Sequence, residues 1–529
     1  MRSAFFAAAL ALAVTSFPPT GASAQDDGDR RFGAVHFDTS CNDTAQRRFD
    51  RAMRYQHSFW YRESTEIFGE ALKADPGCAI AYWGIALSAL MNPHIPPPKD
   101  NLALGLSSLE KGKALGAKTQ RERDYIDALL VLYTDYETVP HARRVQAYLK
   151  AMEDLAARYP EDDEAKIGYA ITLNVAASPN DKSYANQLKG AAILKPIFER
   201  QPRHPGVAHY LIHLYDYPAI ADKGLDAAKR YAEIAPAAPH ALHMPSHVFT
   251  RVGAWKESIE SNSASARAAK AGREPDDQLH AMDYLVYAHL QVGQDRQARA
   301  VVDEMGTVAG YKKNVRTGPY AIAAGEARYA IERGDWKAAA ALRSDASEFA
   351  YVEAVTRFAR ALGAARSGNA AAARDEVAKL AELRDKLKHH NDAYWAEQVD
   401  IQWQVGSAWL LNAENKPAEA RAALGAAADA EDKTEKSIVT PGPLAPAREL
   451  YGWMLLEHGM AREALAAFRG TLEKEPHRFG ATVGAATAAE KAGDLASGKQ
   501  YHAAAVALGE GAEPVRPELA HARAFVANN

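Results

Sequence analysis

Histidine is the residue type whose spacing in this chain points to chemistry. The chain has 529 residues and 18 histidines, and six of the histidines fall between His204 and His247. His209 with His213, and His243 with His247, are spaced i, i+4. That spacing places both imidazoles of a pair on one face of a helix. Such pairs are a common way for a helix to offer two nitrogen ligands to one metal ion.

The two pairs can belong to one metal site, because packed helices lie only about 8–10 Å apart. The predicted metal ligands are His209, His213, His240, His243 and His247. Further ligands, or groups that orient the ligands, are predicted to be Asp216, His280 and Asp283. Imidazoles with nearby carboxylates suit copper, zinc or iron, and the spacing does not distinguish these metals.

Two other interpretations of the histidine cluster stay open. The cluster can form a polar groove that hydrogen-bonds a peptide or buried carbonyls, or it can supply a metal-free His–Asp general base. The His-Glu-x-x-His motif of zinc proteases is absent, because no glutamate follows His209. The isolated histidines elsewhere, His94 among them, are expected to be ordinary surface or core residues.

Composition excludes several classes of protein. The chain is 47% hydrophobic and 25% charged, with 63 basic and 67 acidic residues and a net charge of -4. This balance argues against nucleic-acid binding, which needs a basic face, and against a disordered polyelectrolyte. Two cysteines are too few for a disulfide-rich scaffold or for a cysteine-ligated metal site.

The first 24 residues are typical of a secretory signal. Arg2 precedes an apolar run, and a small-x-small sequence predicts cleavage after Ala24. The apolar run is shorter than the roughly 20 residues that span a bilayer. We therefore expect an exported protein, periplasmic or secreted, that is not an integral membrane protein.

A repeat of about 34 residues organises the rest of the chain. Ser64, Phe68, Ala71 and Pro76 follow one another at offsets of four, three and five, and the same offsets recur at 464–476 and 148–160. Small residues let two helices approach, the large apolar residue fills the space between them, and proline ends the second helix. This pattern resembles the tetratricopeptide repeat.

The resemblance implies an all-α fold, a right-handed superhelix (α-solenoid) of about a dozen helical hairpins with a concave groove. The predicted divisions are a signal peptide (1–24), an N-terminal extension (25–44), N-terminal repeats (45–202), central His-rich repeats (203–310), C-terminal repeats (311–515) and a tail (516–529). Proline-rich insertions are expected at 92–101 and 434–443. Neighbouring repeats would bring Cys41 near Cys78, where either a disulfide or two free thiols are compatible with the sequence.

The repeat register implies that the clustered histidines line the groove. If repeats begin at Pro205 and Pro239, the histidines fall on the positions of the first helix that face the groove in this repeat family. The same reasoning predicts groove-binding side chains at His57, Trp83 and Tyr287. The two His-x-x-x-His pairs also resemble the ligand helices of coupled dicopper proteins, in spacing alone.

Two functions follow from these patterns. One is an exported repeat protein with a His-rich metal site in its groove, either as a metalloenzyme or as a metal-binding protein. The other is a scaffold that binds a protein or peptide in the groove without metal or catalysis. The sequence contains no phosphate loop, dinucleotide fingerprint or nucleophile elbow that would name a substrate.

Overall fold

The computed structural model describes residues 31–178, 181–435 and 439–528, and the predicted signal segment at 1–24 lies outside these ranges. The secondary structure of this part of the chain is helical and includes no strand. The α-helices that precede the histidine cluster are α1 (Asp43–His57), α2 (Tyr61–Ala74), α3 (Ile80–Ala89), α4 (Lys99–Leu115), α5 (Gln120–Tyr133), α6 (His141–Arg158), α7 (Asp163–Val175) and α8 (Ala185–Arg200).

The central helices carry the histidine cluster. They are α9 (Pro205–Tyr215), α10 (Leu225–Ile234), α11 (Pro239–His243), α12 (Pro245–Val252), α13 (Trp255–Gly272), α14 (Pro275–Gln291), α15 (Asp295–Met305) and α16 (Thr317–Glu332). A short 3-10 helix, Ala221–Gly224, precedes α10.

The C-terminal helices complete the array. They are α17 (Trp336–Ala341), α18 (Ala350–Arg366), α19 (Ala370–His389), α20 (Ala393–Ala413), α21 (Pro417–Glu431), α22 (Ala447–Glu457), α23 (Ala461–Lys474), α24 (Phe479–Ala492), α25 (Leu495–Leu508) and α26 (Pro517–Asn528).

Local side-chain chemistry sets many of the helix ends. Proline occupies the first position of α9, α11 and α14, where its missing N–H leaves no helical hydrogen bond unmade. Gly253 ends α12 with φ +69°, a left-handed conformation that glycine adopts without a Cβ clash. The predicted repeat starts at Pro205 and Pro239 are therefore the starts of α9 and α11.

Helices that are consecutive in the chain pack against one another along the whole array. Phe68 of α2 packs against Gly84 of α3, where an added Cβ would lie 2.4 Å from the phenyl ring. Phe468 of α23 packs in the same way against Gly484 of α24, also at 2.4 Å. The large residue of the repeat thus fills a hollow made by glycine on the next helix, and the predicted all-α solenoid of helical hairpins is confirmed.

A disulfide joins the first two repeats. Cys41 and Cys78 are bonded, with their Cα atoms 5.0 Å apart, so the structure decides between the two alternatives that the sequence left open. The bond links the residues just before α1 to the turn before α3, and therefore staples the N-terminal edge of the solenoid.

The C-terminal helices return to pack on the central ones. The indole Nε1 of Trp255 donates to the carbonyl oxygen of His477 at 2.8 Å, and the Tyr287 hydroxyl donates to Glu475 at 3.1 Å. Farther along, the Arg516 guanidinium pairs with Asp295 at both carboxylate oxygens. The central repeats are consequently enclosed by other parts of the same chain.

Within the described ranges, no helix is both long enough and apolar enough to cross a bilayer.

Candidate metal centre

Three consecutive repeats bring six imidazoles together. Helices α9, α11 with α12, and α14 are the first helices of these repeats, and they form two groups of three nitrogen donors whose atoms lie within 4.8 Å of one another. Triad A is His209, His213 and His240. Triad B is His243, His247 and His280. The predicted ligands therefore divide between two adjacent centres, with His280 completing the second.

Triad A is organised around His209. Its Nε2 lies 3.1 Å from Nε2 of His213 and 3.1 Å from Nε2 of His240. Its Nδ1 lies 2.7 Å from the carbonyl oxygen of His57, and because a carbonyl only accepts, the proton of the ring is on Nδ1. The single lone pair of His209 Nε2 thus points to the space that it shares with the two other imidazoles.

Triad B holds two bare nitrogens close together. His243 donates its Nδ1–H to Oδ1 of Asn262 at 2.6 Å, and His247 donates its Nδ1–H to Asp216 at 2.8 Å. The Asn262 amide nitrogen donates to the Ser258 carbonyl at 2.8 Å, which fixes which end of the amide is the acceptor. The Nε2 atoms of His243 and His247 face each other at 3.0 Å.

The spacing of the facing Nε2 atoms can be compared with that of two ligands on one metal ion. Metal–nitrogen bonds of about 2.0–2.1 Å in a tetrahedral site separate two ligand nitrogens by roughly 3.3 Å, close to the 3.0–3.1 Å seen in both triads. The acceptors on Nδ1 are the kind of partner that orients a metal-bound imidazole. The donor sets therefore fit one metal ion each.

The two triads are neighbours. The ring centroids of His213 and His247 are 6.4 Å apart, and so are those of His240 and His243. His240 and His243 both lie on α11, three residues apart, and His247 lies on α12. His240 contributes to triad A, while His243 and His247 contribute to triad B.

Two further side chains at the centre escaped the sequence analysis. The ring of His94, which was expected to be an ordinary histidine, lies 4.9 Å from that of His213, and its enclosed Nε2 has no hydrogen-bond partner within the described ranges. The Tyr284 hydroxyl lies 3.3 Å from Nε2 of His247 and donates to the Thr440 carbonyl at 3.2 Å. The one signal for His94 was its place in a proline-rich insertion.

Burial keeps the imidazoles neutral. Loss of hydration lowers the pKa of His209 to about 3 and that of His94 to about 4. The pKa values of His213, His240 and His243 also fall well below the ordinary value, first through burial and then through the neighbouring imidazoles. At neutral pH these nitrogens are therefore available to a metal without proton competition.

Metal-free protein is expected to lose stability as the pH falls below about 6.5, the ordinary histidine pKa. The unfolded chain then binds protons that the folded protein, with pKa values of about 3 at His209 and about 4 at His94, does not. Each such group lowers the free energy of unfolding by up to about 1.4 kcal/mol per pH unit until the folded pKa is reached. Urea unfolding of chelator-treated protein at pH 7, 6 and 5 measures this loss, and a constant midpoint would contradict it.

The predicted carboxylates have different roles. Asp216 is buried and accepts from His247 and, at 3.3 Å, from Arg251, so it orients an imidazole of triad B. Asp283 instead faces Arg328 at 3.4 Å, and burial raises its pKa to about 6 in spite of that guanidinium. Asp283 therefore belongs to an ion pair that supports α14.

Of the three predicted groove residues, His57 and Trp83 line one cavity, and Tyr287 lies elsewhere. His57 lies beside triad A, where its carbonyl accepts from His209, and its ring contacts Glu164 and the Tyr210 hydroxyl. Trp83 packs in an aromatic cluster with its ring 5.4 Å from that of Phe37. Tyr287 lies on α14 among the ionic side chains that hold the C-terminal helices.

Four of the six triad histidines are buried. His209, His213, His243 and His247 are all at most 5% exposed, whereas His240 and His280 are partly exposed. The ring of His94, in the proline-rich insertion, packs near His213, and the carbonyls of Thr440 and Pro441 accept from Tyr284 and Arg251. A peptide in a groove therefore has no direct access to the four buried imidazoles in this conformation.

Phe59 forms the wall of triad A. Its ring centroid lies 4.3 Å from that of His209, 5.6 Å from His213 and 5.1 Å from His240. The residue has φ +58°, a left-handed conformation that is rare for a bulky side chain and clusters at functional sites. The turn between α1 and α2 thus holds an aromatic ring against three imidazoles.

Cavities flank the centre on two sides. One has a volume of about 100 Å³ and includes His57 and Phe59 in its lining. The other has a volume of about 340 Å³ and includes His94, Tyr184 and Tyr217. Ile95, the residue after His94, lines both cavities, so the proline-rich insertion separates them.

Comparisons with known proteins give a likeness of shape alone. Neither a protein-family model nor a curated protein sequence matches the chain. A solved structure of Naa15/Naa10 bound to HypK-THB is similar at 12% identity and a TM-score of 0.25, covering 91% of this chain and 73% of that one. The APC/C hetero-tetramer Cut9-Hcn1 is similar at 11% identity and a TM-score of 0.30, covering 92% and 96%. At these values the comparisons carry no conclusion about activity.

Proposed function

We propose that the protein is an exported metalloprotein that binds two transition-metal ions, one at triad A and one at triad B. The observation that carries the proposal is the 3.0 Å approach of Nε2 of His243 to Nε2 of His247, with Nδ1 of each ring held by an acceptor on its opposite side. A metal ion between the rings would be bound by both nitrogens.

Copper is the metal that we expect. Each triad consists of neutral imidazoles, and among divalent first-row ions a nitrogen site binds Cu²⁺ most tightly. Two adjacent divalent ions would repel each other strongly, and Asp216, which contacts His247, is the carboxylate next to the triads in the described ranges that could offset their charge. A copper(I) ion carries half the charge of a divalent ion. A redox-active copper pair therefore fits the site better than two zinc ions.

Three protein ligands for each ion leave coordination positions open. Closed structural zinc sites have four protein ligands, whereas catalytic sites keep a position for water or substrate. The cavities beside Phe59 and His94 provide space next to the centre. We therefore propose an oxidoreductase rather than a structural metal site, and the Cys41–Cys78 disulfide supports the export that the N-terminal sequence predicts.

Metal analysis of untagged protein tests the proposal. The protein is stripped with chelator, reconstituted separately with copper, zinc and iron, freed of excess metal, and measured by mass spectrometry. We expect close to two copper ions per chain, and less zinc and iron. Failure to retain any of the three metals would reject the metal centre and favour the scaffold, which predicts a protein or peptide partner that co-purifies with the chain.

A further inference from the structure

The cavity behind Phe59 has an unequal distribution of polar groups. Most of its lining is apolar, including Trp83, Leu87, Pro93 and Ile171, whereas His57, Glu164 and Tyr210 form a polar end. An apolar wall with a few converging polar groups is typical of a ligand site. The volume of this cavity, about 100 Å³, limits its occupant to a small molecule of about one ring.

Glu164 is the anion at the polar end. One carboxylate oxygen accepts from Nε2 of His204 at 2.8 Å, and the other faces Nε2 of His57 at 3.1 Å. Burial by itself would raise the pKa of Glu164, but His57 and His204 hold that pKa well below its usual range. The carboxylate is therefore ionised, and with one imidazole on each oxygen it retains lone pairs for a further donor.

The polar end is also the end nearest triad A. Phe59 is part of the cavity lining, and its ring also packs on the triad A imidazoles of His209 and His240. His57, which contacts Glu164 through its ring, accepts from His209 through its backbone carbonyl. A molecule seated in the cavity would thus lie one aromatic ring away from triad A.

We infer that this cavity binds a small amphipathic molecule, with an apolar, ring-containing body among the aliphatic and aromatic walls and a hydroxyl head that donates to Glu164. A phenol is the simplest member of this class. A carboxylate or phosphate head is disfavoured, because it would meet the Glu164 charge with no arginine or lysine among the lining residues. Binding of this molecule does not depend on a bound metal, whereas the role of the cavity as the substrate site rests on the proposed function.

Fluorine NMR with a matched pair of probes tests the pocket on the full chain. We use 4-(trifluoromethyl)phenol and trifluoromethylbenzene, which differ in the hydroxyl group, with metal-free protein. We expect the phenol to bind at least about tenfold more tightly, because a hydrogen bond to a charged group adds roughly that factor. Glu164→Gln should reduce this preference to less than about threefold. Equal affinity of the parent protein for both probes, or no binding, would overturn the inference.

Filling the cavity is the second arm of the test. Ile171→Trp and Leu87→Phe each place extra atoms in the cavity, whereas Leu188→Trp, at a position 37% exposed on α8, serves as the control. We expect at least one filling variant to remain folded by circular dichroism and to bind the phenol at least tenfold more weakly, with the control unchanged. Parent-like affinity in a folded filling variant would overturn the site.

Fluorine NMR of copper-loaded protein tests the pocket and the metal site separately. Bound Cu²⁺ should broaden the fluorine signal of the pocket-bound phenol, and Zn²⁺ should not. If the chain binds no metal, the proposed function fails while the affinities for the two probes still decide the pocket. If copper that electron paramagnetic resonance shows to be Cu²⁺ binds without broadening the signal, the pocket is not adjacent to the centre and its assignment as the substrate site is wrong.

Discussion

His213→Ala should remove one bound metal ion and leave the other in place. His213 supplies one of three nitrogens to triad A and none to triad B, so two imidazoles remain for the first ion and three for the second. Loss of a residue that merely orients a ligand commonly weakens metal binding by about 10–100-fold, and loss of a ligand should exceed this. We expect copper content to fall from two ions per chain to one.

The complementary variant makes this experiment selective. His247→Ala should remove the triad B ion and retain the triad A ion, and the double variant should retain neither. His458→Ala is the matched control, because His458 contacts Asn412 and Arg421 away from both triads. Two tightly held ions in either single variant would show that the triads are not separate metal sites.

Arg478→Ala should cost about 3–5 kcal/mol of unfolding free energy, the range for removing one member of a buried ion pair. The guanidinium is fully buried just before α24, where it pairs with Glu449 at 2.7 Å and with Glu332 at 2.5 Å. It also donates to the Tyr287 hydroxyl at 3.0 Å. Without it, the Glu449 and Glu332 carboxylates remain buried between the central and C-terminal helices and lose the guanidinium that pairs with both.

Urea unfolding followed by circular dichroism measures this effect, and hydrogen exchange locates it. We expect loss of protection to concentrate in α14, α16, α22 and α24, which the Arg478 contacts join. Arg469→Ala is the control, because Arg469 is about half exposed and contacts Ser497 on the surface; its effect should stay within about 0.5 kcal/mol. A similarly small effect of Arg478→Ala would show that this network does not hold the C-terminal helices.

The local part of the candidate centre could be predicted from the sequence. The i, i+4 spacing brings His209 next to His213, and His243 next to His247, because helical geometry depends on neighbouring residues alone. The repeat starts followed in the same way from prolines and glycines, whose backbone preferences are local. The helical class followed from the recurrence of Phe68 and Phe468 at equivalent positions.

Other parts of the centre depend on packing between distant segments. The division of five predicted ligands into two triads requires α9 to approach His240, and the completion of triad B requires the approach of α14, which carries His280. His94 and Phe59 reach triad A from the N-terminal repeats, and neither has a spacing that relates it to His213.

The sequence by itself determined that this chain is a helical repeat array with ligand-type side chains concentrated in its central repeats. The tertiary structure decided that most of these side chains are buried, that they form two triads, and that an apolar cavity ends beside one of them. The physical reason is that a helix places its side chains by short-range geometry. In contrast, the path by which a solenoid folds back on itself depends on the packing of the whole chain, for which no short pattern exists.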